Sequence, residues 1–200
     1  MKELWEAKSG LIVKLIVNQF AFSLFGLFVS SPFLNNDTLC VVAGVFAWLF
    51  YLAVVAFAVL DDAQKDHIAT AAGRAKHTVT RGAAYLALSF APSAVISVLH
   101  AILSLAGANG IVKTVLYFLN RFAFGGEVLG IDVGLARFTF DEALGERVSN
   151  APMIYQQMSI HGLFQLLFIL ISFAVLFVIY ALAFGGYISY NTTDKSKKNA

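Results

Sequence analysis

Two hundred residues that are 59% hydrophobic, 13% charged and 14% aromatic exclude an ordinary soluble domain, in which charged residues approach a quarter of the chain. A net charge of +2, with the basic residues dispersed among apolar blocks, excludes a nucleic-acid partner, and a single cysteine, Cys40, excludes an internal disulfide. The apolar excess lies in four windows, each long enough to cross about 30 Å of hydrocarbon as a helix rising about 1.5 Å per residue.

The expected fold class is therefore all-α. It is a polytopic membrane protein with one domain over residues 1–200, built as a bundle of four transmembrane helices with spans at about 11–33, 39–60, 83–105 and 163–184. Residues 61–81 form a polar loop and 106–161 an outer segment. The first apolar run is too long for the core of a cleaved signal peptide and reads as a permanent span.

The opening MKELWEAKSG, with Trp5 placed as an interfacial ring, is expected as a short helix lying on the membrane surface. In span 1, Lys14 sits one turn inside and can extend its stem back to the headgroups. Asn18 and Gln19 have no such reach and are expected to face another helix, since an amide turned to lipid lacks partners. Pro32 and the polar Asn35 to Asp37 make a turn so short that span 2 returns antiparallel beside span 1. Trp48, near the middle of span 2, is expected to pack its indole on a neighbouring helix.

The polar window Asp61 to Arg81 follows. Asp61 and Lys65 are spaced for a helical ion pair, and the helix is expected to run on past the span and end before Gly73. Asp61, Asp62 and Asp66 stand in a D-D-x-x-x-D pattern, which is one residue off the magnesium-binding D-D-x-x-D spacing of prenyl-diphosphate enzymes. It is read instead as a solvated helix with local ion pairs. His67 and His77 match no zinc spacing and are expected to be exposed; Asp62, Asp66, Arg74 and Arg81 are candidates for a docking surface.

Span 3 carries Ser89, Ser93, Ser97 and Ala101 at four-residue spacing, with a second small row at Ala83, Ala87 and Ala91. Small residues let helices approach closely in lipid, so span 3 is expected at the centre, bent by Pro92, with its small face available to other membrane subunits or to self-association. Beyond it, 111–124 places Lys113, Tyr117, Asn120 and Arg121 along one side, as an interfacial or re-entrant helix does. Gly125, Gly126, Gly130 and Gly134 are expected to break regular structure. Thr139 with Glu142 signs a helix cap, and Asn150 with Pro152 suits a helix start. No internal repeat is present, which disfavours an inverted-repeat transporter.

Threading four spans groups both termini and the 61–81 loop on one side, with ten of the fourteen basic residues. By the positive-inside rule that side is the cytoplasm. A fifth span over 111–129 is disfavoured because it puts Arg121 at membrane depth.

Chemistry has few candidates. His100 and His161 fall at similar depth at the outer ends of spans 3 and 4, with Gln165 one turn deeper. Facing imidazoles suit a haem, a metal or a proton relay, or simply bond their neighbours. Asn18, Gln19, His100 and Gln165 make up the candidate polar intramembrane site. Asp141 to Arg147 misses the E-E-x-x-x-R protease spacing by one place, and no nucleophile elbow, phosphate loop or H-E-x-x-H occurs.

The run LIVKLIVNQFAFSLFGLF, followed after span 2 by Asp62, Lys65, Asp66 and Gly73-Arg74, resembles small membrane proteins of Gram-positive bacteria with no assigned function. The likeness covers roughly the first third and implies a bacterial cytoplasmic membrane. The expected function is that of a non-enzymatic accessory subunit or small transport component without a cofactor. The alternatives are an oligomeric transporter or channel with a polar path near Asn18 and His100, and a redox protein binding haem or metal through His100 and His161.

Overall fold

The computed structural model describes residues 2–34, 36–134 and 159–188. Within them the chain is helical, and four helices are long and apolar enough to cross a membrane, as composition requires. They are α1 (Lys2–Ser30), α2 (Asp37–Ala71), α3 (Val79–Leu105) and α5 (Ser159–Phe184); the short α4 (Gly110–Asn120) lies between the last two. The expected caps of the outer segment at Thr139, Glu142, Asn150 and Pro152 lie outside the described residues.

The opening decapeptide does not form a separate surface helix. It continues straight into span 1, because no breaker separates Gly10 from Leu11 and the ion pairs of Lys8 hold it against α2. Pro32 ends α1 through one 3-10 turn, Ser31–Phe33. Asn36 then caps α2 by accepting a hydrogen bond from the Leu39 amide at 3.1 Å.

α2 is 35 residues long, about 50 Å at the α-helical rise, so its polar last turns project beyond a 30 Å hydrocarbon layer. It stops before Gly73 as expected. Gly73 takes a φ of +69° and its amide bonds the Thr70 carbonyl, while Arg74 bonds Ala69, the Schellman ending that favours glycine.

α3 sits at the centre. Its Ser89, Ser93, Ser97 and Ala101 row is buried against α1, α4 and α5, with which it packs. In the second small row Ala87 is exposed and Ala83 and Ala91 are partly so, whereas the serine row is used within the chain. Gly162 of α5 shows why small residues are needed there, since a Cβ on it would lie 2.6 Å from the Ser97 carbonyl oxygen. The indole of Trp48 packs on α5 as expected, edge-on to Phe168, and donates to Ser172 Oγ at 3.0 Å. Tyr51, Tyr85, Leu86, Phe90, Phe124, Leu176 and Tyr180 fill the apolar core.

α4 is amphipathic with its faces reversed relative to water. Tyr117 and Asn120 turn inward, while Ile111, Val112, Val115, Phe118 and Leu119 point outward. A surface helix would show its polar side to solvent; this one satisfies polar groups inside the bundle, as a bilayer demands.

Candidate functional site

After α4 the chain widens into a π-helical turn, Arg121–Gly125, turns at 126–128 and becomes helical again over 129–134. This elbow inserts between α1 and α2. The glycines that sequence reading assigned to breaking structure are its contact points. A Cβ on Gly126 would lie 2.0 Å from the Ser23 carbonyl oxygen, one on Gly130 1.9 Å from that of Cys40, and those on Gly26 and Gly44 would strike the elbow backbone in return. Ser23 secures the junction: its hydroxyl donates to the Arg121 carbonyl at 2.8 Å and accepts from the Gly126 amide at 3.0 Å. Ser23 lies seven residues before the end of α1, so the elbow reaches roughly 10 Å inward from that end of the bundle.

The widened turn aims Arg121 into the interior. Its guanidinium forms a buried ion pair with Asp132, donates to the Gly125 carbonyl at 2.8 Å and stacks 4.8 Å from the Tyr117 ring centroid. Burial works against the guanidinium charge, but Asp132 and Tyr117 outweigh it and raise its pKa above the ordinary value. Asp132 also lies 3.0 Å from His161 Nδ1 and accepts from Gln165 Nε2 at 3.5 Å. The His161 ring meets His100 edge to face, with centroids 5.2 Å apart. That contact leaves no gap for a porphyrin plane, and among the described residues no group of three or more His, Cys, Asp or Glu is arranged to hold a metal.

Separate short hydrogen-bonded segments lie beyond this cluster along the inner face of α3, forming among the described residues a row of buried polar groups with gaps next to the cluster and between Ser89 and Tyr85. Ser97 donates to Asn120 Oδ1 at 3.1 Å, Ser93 donates to Gln19 Oε1 at 2.9 Å, and Gln19 Nε2 donates to the Ser89 carbonyl at 3.1 Å. One turn further, Tyr85 stacks edge-on against Tyr180, whose hydroxyl donates to Asp66 at 2.9 Å. Asp66 belongs to a second cluster, in which Lys8 Nζ bonds Asp62 at 2.7 Å and Asp66 at 3.0 Å and His77 Nε2 stands 3.6 Å from Asp66.

Of the candidate polar site, the structure brings Gln19, His100 and Gln165 onto this inner row and leaves Asn18 out of it. Adjacent helical residues point about 100° apart, so Asn18 turns to an outer groove when Gln19 faces α3. The 61–81 window also departs from expectation. Asp61 and Lys65 pair on the surface at 2.6 Å as expected, but Asp62 and Asp66 turn inward to Lys8 on α1, a partner no local spacing reveals. His67 and His77 are half-buried, bonded to the Phe184 carbonyl and to Arg81 respectively, while Arg74 is exposed, so the four docking candidates share no single surface.

Sequence reading missed Arg121, Asp132 and Glu127 as site residues. Their signal was present in G-G-E-V-L-G-I-D-V-G, two carboxylates embedded among apolar residues and glycines. Glu127 is wholly buried, and neither carboxylate oxygen has a hydrogen-bond partner among the described residues. Burial pushes its carboxyl pKa well above the usual range and so favours the neutral form. No family model, curated protein or solved structure matches the chain.

Proposed function

We propose that this multi-pass membrane protein is a non-enzymatic transport component that conducts protons along the inner face of α3, between the Arg121–Asp132–His161 cluster and the Lys8–Asp62–Asp66 cluster. The observation that carries the reading is the buried polar row itself. Hydrocarbon-facing bundles are stable with apolar interiors, and acid and histidine chains inside them mark proton routes. Ser89, Ser93, Ser97, Gln19 and Asn120 line the route with buried hydroxyls and amides, and acids at both ends supply sites where a proton is held. The weight of basic residues around the termini, and the likeness of the first third to Gram-positive membrane proteins, support a bacterial cytoplasmic membrane with the Lys8 end inside.

The test is reconstitution into vesicles that contain a pH-sensitive dye. A gradient imposed across them is expected to collapse faster than in protein-free vesicles, and Asp132→Asn to slow the collapse by about 100-fold. Vesicles that hold the gradient as long as protein-free controls would overturn proton conduction and leave the accessory-subunit reading, for which a stable partner should co-purify from native membranes.

A further inference from the structure

A groove of about 460 Å³ opens on the outer surface between α1 and α2, lined by Lys14, Asn18, Val54, Phe57, Ala58 and Asp61. It lies apart from the polar row, on a different side of α1 from Gln19. Along α2 it runs from Asp61 inward past Ala58 and Phe57 to Val54, and along α1 from Lys14 one turn inward to Asn18. Asp61 marks the point where the apolar run of α2 gives way to D-D-A-Q-K-D-H, so this end of the groove sits at headgroup depth while Val54 and Phe57 lie one to two turns toward the hydrocarbon.

Lys14 and Asn18, one turn apart on α1, have no hydrogen bond or ion pair among the described residues, although both border the groove. Asp61 engages Lys65 through Oδ2 alone. An ammonium and a carboxylate that border one groove with an apolar lining match a molecule with a phosphate, a nearby primary amine and a hydrocarbon chain.

We infer that this groove is a binding site for an ethanolamine phospholipid: Lys14 takes the phosphate, Asp61 takes the headgroup ammonium, and an acyl chain lies along Val54, Phe57 and Ala58 past Asn18. A phosphate without the amine leaves Asp61 facing an anion, so glycerol phospholipids bind less well. A quaternary amine has no N–H to donate, so choline phospholipids also rank lower.

The test measures the unfolding temperature of the purified full chain in detergent with added phosphatidylethanolamine, phosphatidylglycerol or phosphatidylcholine, alongside native mass spectrometry of retained lipid. Phosphatidylethanolamine at saturation is expected to raise the midpoint by about 5 °C, more than the other two. Lys14→Ala should abolish retention and Lys14→Arg should keep it, while Asp61→Asn should erase the preference over phosphatidylglycerol. Lys14 and Asp61 are exposed, so lipid-free midpoints should match the wild type and show that the variants fold. Soluble phosphoethanolamine should give no shift because the apolar floor stays empty. Equal shifts from all three lipids, an equal shift from phosphoethanolamine, or unchanged retention in Lys14→Ala would each overturn the assignment.

Discussion

Glu127 is the residue whose situation most needs a physical reason, because an isolated charged carboxylate is costly in an apolar interior and burial favours its neutral form. Its folded pKa is raised above the ordinary 4.5, so above pH 4.5 the native state holds a proton that the unfolded chain has released. Stability from this group is therefore full below pH 4.5 and falls as pH rises toward the folded value, with a slope of about 1.4 kcal/mol per unit. Denaturant unfolding in detergent across that window should show Glu127→Gln losing this slope relative to wild type. Parallel profiles would mean that Glu127 is charged in the fold. Other residues of the site differed in how far the sequence exposed them. An amide or imidazole within a span has to face protein, which made Gln19, Gln165, His100 and His161 readable. Asn18 obeyed the same rule on composition but not on geometry, because its neighbour took the inner face. Arg121 and Asp132 are eleven residues apart and meet only through a π turn, whose register no 3.6-residue periodicity announces.

Among the elements, the long helices follow from apolar length alone, while the elbow follows from glycines whose meaning depends on their partners. Glycine ordinarily signals a break in regular structure. Here Gly126 and Gly130 instead let one backbone approach another, and nothing in their sequence surroundings separates the two uses. Gly130→Ala puts a methyl group against the Cys40 carbonyl and should force the elbow out from between α1 and α2. Cys40 is the chain's one cysteine and is fully buried, so it reports directly: maleimide labelling should be slow in wild type and fast in Gly130→Ala. Gly10→Ala, with nothing within 4 Å of the added methyl, is the matched control. It should label slowly and gain about 0.5–1 kcal/mol of helix stability. Rapid labelling of wild type would contradict the inserted elbow. The inverted amphipathicity of α4 teaches a related lesson, since its polar stripe was legible but the direction it faces depends on whether the surroundings are water or protein and lipid.

At the scale of the molecule, the bundle places one ionic cluster near each end of its central helix, with a row of buried polar groups between them in an apolar core. Composition made the bundle legible; the pairing of Lys8 with Asp62 and Asp66 depends on contacts more than fifty residues apart in the chain. A structural role for the elbow cluster and a proton-conducting role differ in what replacement by apolar residues does. Removing one member of a buried ion pair strands the other charge and costs about 3–5 kcal/mol, whereas replacing both with residues of similar volume is often neutral or stabilising. The decisive measurement is therefore proton flux through vesicles carrying the double variant Arg121→Met, Asp132→Leu, after its unfolding midpoint has been shown to equal or exceed that of wild type. The account predicts a folded protein whose vesicles hold an imposed pH gradient as protein-free vesicles do. A folded double variant that collapses the gradient at the wild-type rate would contradict it.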